Sequence, residues 1–239
     1  MKENNNSDSL QYHSILETAG QLLLNVKSNV STEKEIHLLQ NLHINDFKNV
    51  LDNDATKKCF WINIYNSFYQ LLAMDSTIDR NKIFKLKKVH IAGNHFSLDD
   101  IEHGILRRYR WKWSLGYLPN PFAPREIRDL AVDHLDYRIH FALNCGAASC
   151  PPISFYTLLK LENQLDTAMA SFIEGETSIE GESKVVRTSR LLQWYLGDFG
   201  GKKGILKLIE IVFNQNLSAY DIIYNPYNWD VKLANYSQI

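Results

Sequence analysis

The sequence lacks the features that mark several large classes of protein. It has only three cysteines in 239 residues, and Cys59 lies far from Cys145 and Cys150. That odd number excludes a disulfide framework, and we expect reduced thiols in a cytoplasmic protein. No run of about 20 apolar residues predicts a membrane-spanning helix. Residues 1–6 are polar and unlike a secretory signal, although a removed signal would leave a secreted or periplasmic location open.

An excess of charge of either sign is also missing. Lys and Arg number 26 and Asp and Glu 27, which gives a net charge of −1. The two signs are interspersed along the chain, so neither a nucleic-acid surface nor a polybasic membrane patch is predicted. We therefore expect a small-molecule or peptide substrate as the partner, with no nucleic acid and no membrane.

The apolar content is high enough for a full core. Hydrophobic residues make up 45% of the chain and aromatic residues 12%. No linker-like break divides it. The sequence predicts a single α+β domain over residues 35–239, with helices around a small antiparallel or mixed sheet. Residues 1–34 are predicted as an N-terminal helical extension.

Apolar periodicity predicts most of the elements. Helices are expected over 7–29, from 31 onward, and over 55–74, 97–108, 154–173, 189–197 and 203–217. A hairpin is expected over 83–96 and a strand over 184–188. Leu10 starts the apolar face of the first helix.

The helix at 55–74 is apolar on almost every side, which indicates a central position. Asn63, Asn66 and Gln70 form one stripe along it. Buried amides need hydrogen-bond partners. They either form a structural network or, at Asn63 or Asn66, orient a catalytic group or hold an oxyanion.

The stretch most suggestive of chemistry is residues 138–152. Its first half, RIHFAL, predicts a buried strand, and its second half, NCGAASCPP, predicts a tight loop. The loop holds Asn144, Cys145, Ser149 and Cys150, and His140 precedes it. Loops on a rigid scaffold often carry function.

A second candidate segment is the helix at 97–108. Glu102 lies within its apolar face, so we expect either a cationic partner or a raised pKa. His103 and Arg107 share the adjacent face. Glu102 or His103 faces the cysteine loop, or Glu102 binds a buried arginine for structural reasons. Residues 109–125 follow as an aromatic, proline-containing loop that forms a lid or a pocket wall, or packs down onto the body.

Nucleophilic catalysis is the first chemistry to consider. Cys145 or Cys150 would attack a carbonyl, with backbone N–H groups of residues 146–149 as an oxyanion hole. His140 or His103 would be the base, oriented by Glu102 or an asparagine. On a regular strand His140 and Cys145 point to opposite faces. A bulge or turn is therefore needed to join them, and otherwise His103 is the better candidate.

Two other chemistries and one structural interpretation compete with it. Cys145 and Cys150 could form a dithiol redox site, although four intervening residues are more than in C-x-x-C. His140 with the two cysteines matches no zinc spacing, so no metal and no cofactor are predicted. The cysteines could also be small buried apolar residues in a non-catalytic binding domain.

Four ordered motifs carry a family resemblance. FWINIYNSF (60–68), SLDDIEHGILRR (97–108), DYRIHFALNCGAASCPPISFY (136–156) and SRLLQWYLGDFG (189–200) resemble the family named domain of unknown function 547. The terminal YNPYNWDVKLAN (224–235) is similar to its closing motif. The resemblance covers the chain from about residue 35 and implies no agreed activity. Some relatives lack the second cysteine, which favours Cys145.

Together these observations predict one cleft built from residues 60–70, 98–108 and 144–152. The leading hypothesis is a thiol-dependent hydrolase or transferase acting on an amide or ester. The predicted catalytic residues are Cys145, His140, Glu102, His103 and Asn66. The predicted substrate-binding or supporting residues are Asn63, Asn144, Ser149, Cys150 and Arg107.

Overall fold

The structure is a computed structural model that describes residues 4–237, with side chains from residue 14 onward. Leu10 and the polar start therefore lie outside the described side chains. The helices are α1 (Asn4–Lys27), α2 (Glu33–Gln40), α3 (Ile44–Val50), α4 (Asp54–Met74), α5 (Arg125–Leu130), α6 (Leu161–Glu176), α7 (Leu191–Trp194) and α8 (Gly201–Phe213). A π-helix covers Asp100–Leu106.

Five short strands form two sheets. The strands are β1 (Val89–Ile91), β2 (Asn94–Phe96), β3 (Ser178–Glu180), β4 (Val185–Ser189) and β5 (Asp221–Asn225). β1 and β2 form an antiparallel hairpin. In the other sheet β4 pairs antiparallel with β3 and parallel with β5. The predicted α+β class with a small mixed sheet is confirmed. In the described chain, no helix is both long and apolar enough to cross a bilayer.

Helix α4 is the centre of the larger core. It is buried from Thr56 to Gln70, as its apolar sequence predicts. The Asn53 side chain caps its start by accepting hydrogen bonds from the N–H groups of Ala55 and Thr56. Trp61 packs edge-on against three phenylalanine rings, which are Phe47, Phe60 and Phe96. α1 packs against α4 with Ala19 and Leu22 fully buried.

The segment before the cysteine loop is not the strand that its alternation predicted. Residues Tyr137–Phe141 form a 3-10 helix, opened by Asp136, whose side chain accepts from the Arg138 N–H. This segment lies between two apolar clusters. Ile139 packs in the α4 core, whereas Phe141 packs with the apolar residues of α6, β4 and α8. On this helical turn Ile139 and Phe141, two residues apart, reach different cores, so the strand predicted from the alternating pattern is wrong.

The predicted helix over 154–173 begins later than expected. Residues 151–157 are extended, and the Ile153 N–H donates to the carbonyl of Asn235 at 2.7 Å. That pairing holds this segment against the C-terminal one, and the chain turns helical at Leu158, through a 3-10 helix (Leu158–Lys160) that leads into α6. α8 ends at Phe213 rather than 217, because Asn214 adopts the left-handed conformation at φ 50°.

The amide stripe on α4 fixes the loops around it. Asn63 donates to the Tyr156 carbonyl at 2.8 Å and accepts from the Tyr156 N–H at 3.1 Å. Asn66 donates to the Ala142 carbonyl and accepts from the Asn144 N–H, both at 2.9 Å. Gln70 accepts from the Ala234 N–H at 2.9 Å. The stripe therefore forms the structural network, and it clamps both ends of the cysteine loop.

Replacing Asn66 with alanine should destabilise the fold strongly. The change leaves the Ala142 carbonyl and the Asn144 N–H unpaired in the interior, at a cost of about 2–4 kcal/mol in total. Urea unfolding measures the loss. Asn163→Ala, on the exposed side of α6, is the matched control and should cost less than about 1 kcal/mol. Equal losses in the two variants would contradict the clamp.

Candidate functional site

The predicted convergence of three segments forms a pocket of about 360 Å³. Tyr65 comes from α4 and Glu102 and His103 come from the π-helix. His140, Cys145 and Cys150 reach it from the 3-10 helix and the cysteine loop. Aromatic side chains from α7 and the C-terminal segment close the other side, and they are Trp194, Tyr195, Tyr227 and Trp229. Asn63, Asn66, Asn144, Ser149 and Arg107 do not line this pocket.

Glu102 is held by two tyrosine hydroxyls. Tyr195 donates to one carboxylate oxygen at 2.6 Å and Tyr65 to the other at 3.1 Å. Burial raises the pKa of Glu102, but His103, the Tyr195 hydroxyl and Arg107 outweigh it and hold the pKa below its usual value. The carboxylate is thus ionised, and tyrosines satisfy it where the sequence suggested a cation or a raised pKa.

A buried arginine beside this carboxylate binds a second carboxylate and a histidine. Arg107 donates through Nε to Asp198 Oδ2 at 2.6 Å and through Nη1 to His103 Nδ1 at 2.8 Å. A guanidinium only donates, so His103 Nδ1 is the acceptor and its Nε2 carries the proton. His103 Nδ1 lies 3.6 Å from Glu102 Oε1. Arg107 therefore links neutral His103 to Asp198, and Glu102 lies beside this group, held by the two tyrosines.

His140 is the second residue that donates to Asp198. Its Nε2 lies 2.8 Å from Asp198 Oδ2 and donates to it, which leaves Nδ1 with a lone pair when the ring is neutral. Burial lowers the pKa of His140 and of His103, and this effect exceeds the pull of their carboxylates. Burial raises the pKa of Asp198, but hydrogen bonds from His140 and Arg107 reverse that and lower it.

Tyr195 packs against both His140 and Arg107. Its ring stacks on the His140 ring with centroids 3.8 Å apart, and the Arg107 guanidinium lies 4.5 Å from its centroid. Sequence reasoning missed Tyr195, Asp198 and Tyr227 as site residues. The signal available was the motif at 189–200, which contains the first two but gives no indication of where they fold.

Cys145 and Cys150 form a disulfide. The expectation of reduced thiols is wrong for this pair and leaves Cys59 as the free, buried cysteine. Cys145 is partly exposed, whereas Cys150 is 5% exposed. Cys150 Sγ accepts from the Cys145 N–H at 3.1 Å and lies 3.2 Å from the Tyr227 hydroxyl.

Three of the four loop amides that were predicted to form an oxyanion hole donate hydrogen bonds elsewhere. The Gly146 N–H donates to Asn144 Oδ1 at 2.8 Å, and those of Ala148 and Ser149 donate to carbonyls of the C-terminal segment. Gly146 has φ +73°, and any side chain there would collide with the Tyr69 ring. These three donors therefore fix the loop to itself and to the C-terminal segment and are not free to bind an oxyanion.

The predicted supporting residues hold the loop in shape. Asn144 donates to the Pro151 carbonyl at 2.7 Å, across the loop. Ser149 Oγ accepts from the Asn228 N–H at 2.9 Å and ties the C-terminal segment to the loop. Residues 109–125 form a wall of the pocket through Lys112, Trp113 and Leu115.

The described residues contain no group of three His, Cys, Asp or Glu side chains placed to hold a metal ion. A family model described as "Protein of unknown function, DUF547" matches residues 50–173, just over half of the chain. The matched region contains α4, the π-helix and the cysteine loop, and Tyr195, Asp198 and Tyr227 lie beyond it. No curated protein and no solved structure matches the chain.

The free energy of unfolding should fall as the pH drops from about 7 to 5. Unfolded histidines bind protons below a pH of about 6.5, whereas burial keeps His140 and His103 neutral in the folded chain. Each contributes a slope of up to about 1.4 kcal/mol per pH unit. The lowered carboxylate pKa values act at more acidic pH, where protonation of Glu102 and Asp198 removes further stability.

Urea unfolding of His140→Gln across this range isolates the effect. Glutamine keeps a donor for Asp198 but does not titrate, so the slope should be shallower than in the wild type. His37→Gln, at an exposed histidine that forms no ion pair among the described residues, is the matched control and should show the wild-type slope. A stability that stays flat or rises on acidification would contradict the buried neutral histidines.

Proposed function

The chain belongs to this family of proteins of unknown function, and from its site we propose that it carries out thiol–disulfide exchange through Cys145 and Cys150. One observation carries the proposal: the two sulfurs are bonded to each other at the edge of an aromatic pocket. The competing hydrolase hypothesis requires a free thiolate, which this state does not have.

The two sulfurs differ in their exposure to solvent, which determines which of them an incoming thiolate attacks. Cys145 is partly exposed and Cys150 is buried, so an incoming thiolate attacks Cys145 Sγ. A bond forms between the incoming sulfur and Cys145 while the disulfide bond breaks, and Cys150 leaves with the electron pair. The Cys145 N–H and the Tyr227 hydroxyl are both placed to stabilise the Cys150 thiolate.

A second thiol completes the reaction. Its thiolate attacks the incoming sulfur of the mixed disulfide, and Cys145 leaves as a thiolate. Two thiols are thereby oxidised to one disulfide, and the protein gains two electrons and two protons as a dithiol. The reverse sequence oxidises the protein. The co-reactant is a thiol, either a small molecule or a cysteine-containing peptide.

The pocket walls favour a thiol attached to an apolar or peptide body. Trp194 lies 4.8 Å from Tyr227 and 5.4 Å from Trp229, measured between ring centroids. This wall of rings stands beside the disulfide. Large rigid rings give contact area at little cost in conformational entropy.

Cys150→Ser should trap the mixed disulfide on Cys145. Oxidised glutathione added to the reduced variant should form one adduct, because the resolving thiol is gone. Mass spectrometry of the peptides locates it. Cys145→Ser should react at least about tenfold more slowly, since Cys150 is buried.

Cys59 is the internal control. Burial raises its pKa to about 12, so it should stay unmodified in every variant. Equal adduct formation on Cys150 and Cys145 would contradict the proposed order of attack. Failure of both variants to react would favour a non-catalytic binding domain with a structural disulfide.

The hydrolase or transferase hypothesis is retained as a second candidate because of one specific observation. His140, bonded to Asp198 at 2.8 Å, lines the same pocket as Cys145. In the reduced protein, neutral His140 would take the proton of the Cys145 thiol. Cys145 would attack an amide or ester carbonyl, expel the amine or alcohol protonated by His140, and leave a thioester for water or an acceptor.

An activated ester separates the two candidates. Reduced Cys150→Ser protein mixed with p-nitrophenyl acetate should give a rapid burst of p-nitrophenol, with acetyl on Cys145. His140→Gln in the same background should slow the burst roughly 100-fold. Cys145→Ser is the blank. A burst of equal rate with and without His140 would exclude it as the base.

A further inference from the structure

The loop over residues 109–125, called the aromatic loop here, exposes its large side chains. Trp113 is 80% exposed and Phe122 is 85% exposed. The other exposed large apolar side chains in it are Trp111, Leu115, Tyr117 and Leu118. A concentration of this kind on a folded surface marks an interaction site.

The exposure is built into an ordered loop. The Trp111 N–H donates to the Leu118 carbonyl at 2.9 Å, and the Asn120 N–H donates to the Tyr109 carbonyl at 2.7 Å. The loop base is tied to the body, because the Gly197 N–H donates to the Leu115 carbonyl at 2.7 Å. The backbone is therefore satisfied internally while the side chains point into solvent.

The charged side chains of the aromatic loop are all cationic. Between Glu102 and Glu126 the sequence contains no carboxylate, and it has Arg107, Arg108, Arg110, Lys112 and Arg125. Arg107 is buried in the site, and Lys112 pairs with Asp99 at 2.9 Å. Arg108 and Arg125 are exposed and form no ion pair within the described part of the chain.

We propose that the aromatic loop docks on the surface of a bilayer that contains anionic phospholipid. Trp and Tyr rings favour the headgroup region, and Phe122 and Leu118 can enter the acyl boundary. Arg108 and Arg125 attract the negative headgroups. Because positive and negative charges are interspersed over the whole sequence, no membrane contact was predicted. The aromatic loop nevertheless combines cations with exposed aromatic rings.

Single-stranded nucleic acid also binds to surfaces of aromatic rings and cations. Such binding needs a groove along which the nucleic-acid backbone lies. Trp113 and Phe122 project from the surface, which favours insertion into a soft interface.

Docking would also place the pocket at the membrane. Lys112, Trp113 and Leu115 line it, and a Cβ at Gly116 would collide with the Asp198 carboxylate. The loop therefore joins the exposed surface to the site. The inference depends on neither proposed chemistry, since it concerns binding alone.

Vesicle flotation with the full chain tests the proposal. The wild type should float with phosphatidylcholine–phosphatidylserine vesicles and much less with phosphatidylcholine alone. The double variant Leu118→Ser/Phe122→Ser should lower the partition coefficient by at least about tenfold, because two apolar side chains are lost from the interface. Neither residue lines the pocket. Leu159→Ser removes a side chain that is 95% exposed elsewhere and should bind as the wild type does.

A charge variant tests the electrostatic part. Arg108→Gln/Arg125→Gln should weaken binding to the anionic vesicles only, and added salt should remove the difference. Unchanged urea midpoints show that the variants fold. The proposal fails if the wild type does not float, or if Leu118→Ser/Phe122→Ser floats as the wild type does. It also fails if a single-stranded oligonucleotide, and not the vesicles, is bound through Phe122.

Discussion

Three amide side chains on the buried part of α4 determine how the neighbouring loops and the C-terminal segment are arranged. An unpaired amide in the interior costs about 1–3 kcal/mol, so Asn63 and Asn66 must find partners, and those partners are loop backbones. Gln70 reaches the C-terminal segment in the same way. Because one rigid helix holds the loops on both sides of the cysteines, the disulfide sits on a fixed support rather than a mobile connection.

A second constraint is the burial of opposite charges in one hydrogen-bonded group of side chains. Arg107 has almost no exposure and binds both Asp198 and His103. Burying such groups is costly unless each is hydrogen-bonded. Tyr195 meets part of that requirement by donating to Glu102 and stacking on His140. These residues come from the π-helix and its end, the 3-10 helix and the segment after α7. The hydrogen-bonded group therefore joins elements of the two apolar cores at the pocket.

This arrangement places redox and acid–base groups around the same hollow. Donors at Cys150 Sγ suit a leaving thiolate, and His140 with Asp198 suits a base. The oxidised state occupies both sulfurs, so the two chemistries exclude each other at any one time. The aromatic loop adds a third property at the same rim, since its wall residues continue into an exposed surface of rings.

The sequence by itself determined the local features. All-round apolarity predicted the burial of α4, the stripe of amides predicted a hydrogen-bond network, and the three segments that meet at the pocket were identified correctly. Only the tertiary structure decided that Cys145 bonds to Cys150, that residues 137–141 form a 3-10 helix, and that Asp198 and Tyr195 belong to the site. Local periodicity reports how one element faces the core. It does not indicate which side chains from distant parts of the sequence come into contact. Asp198 binds His140 although the two lie 58 residues apart along the chain.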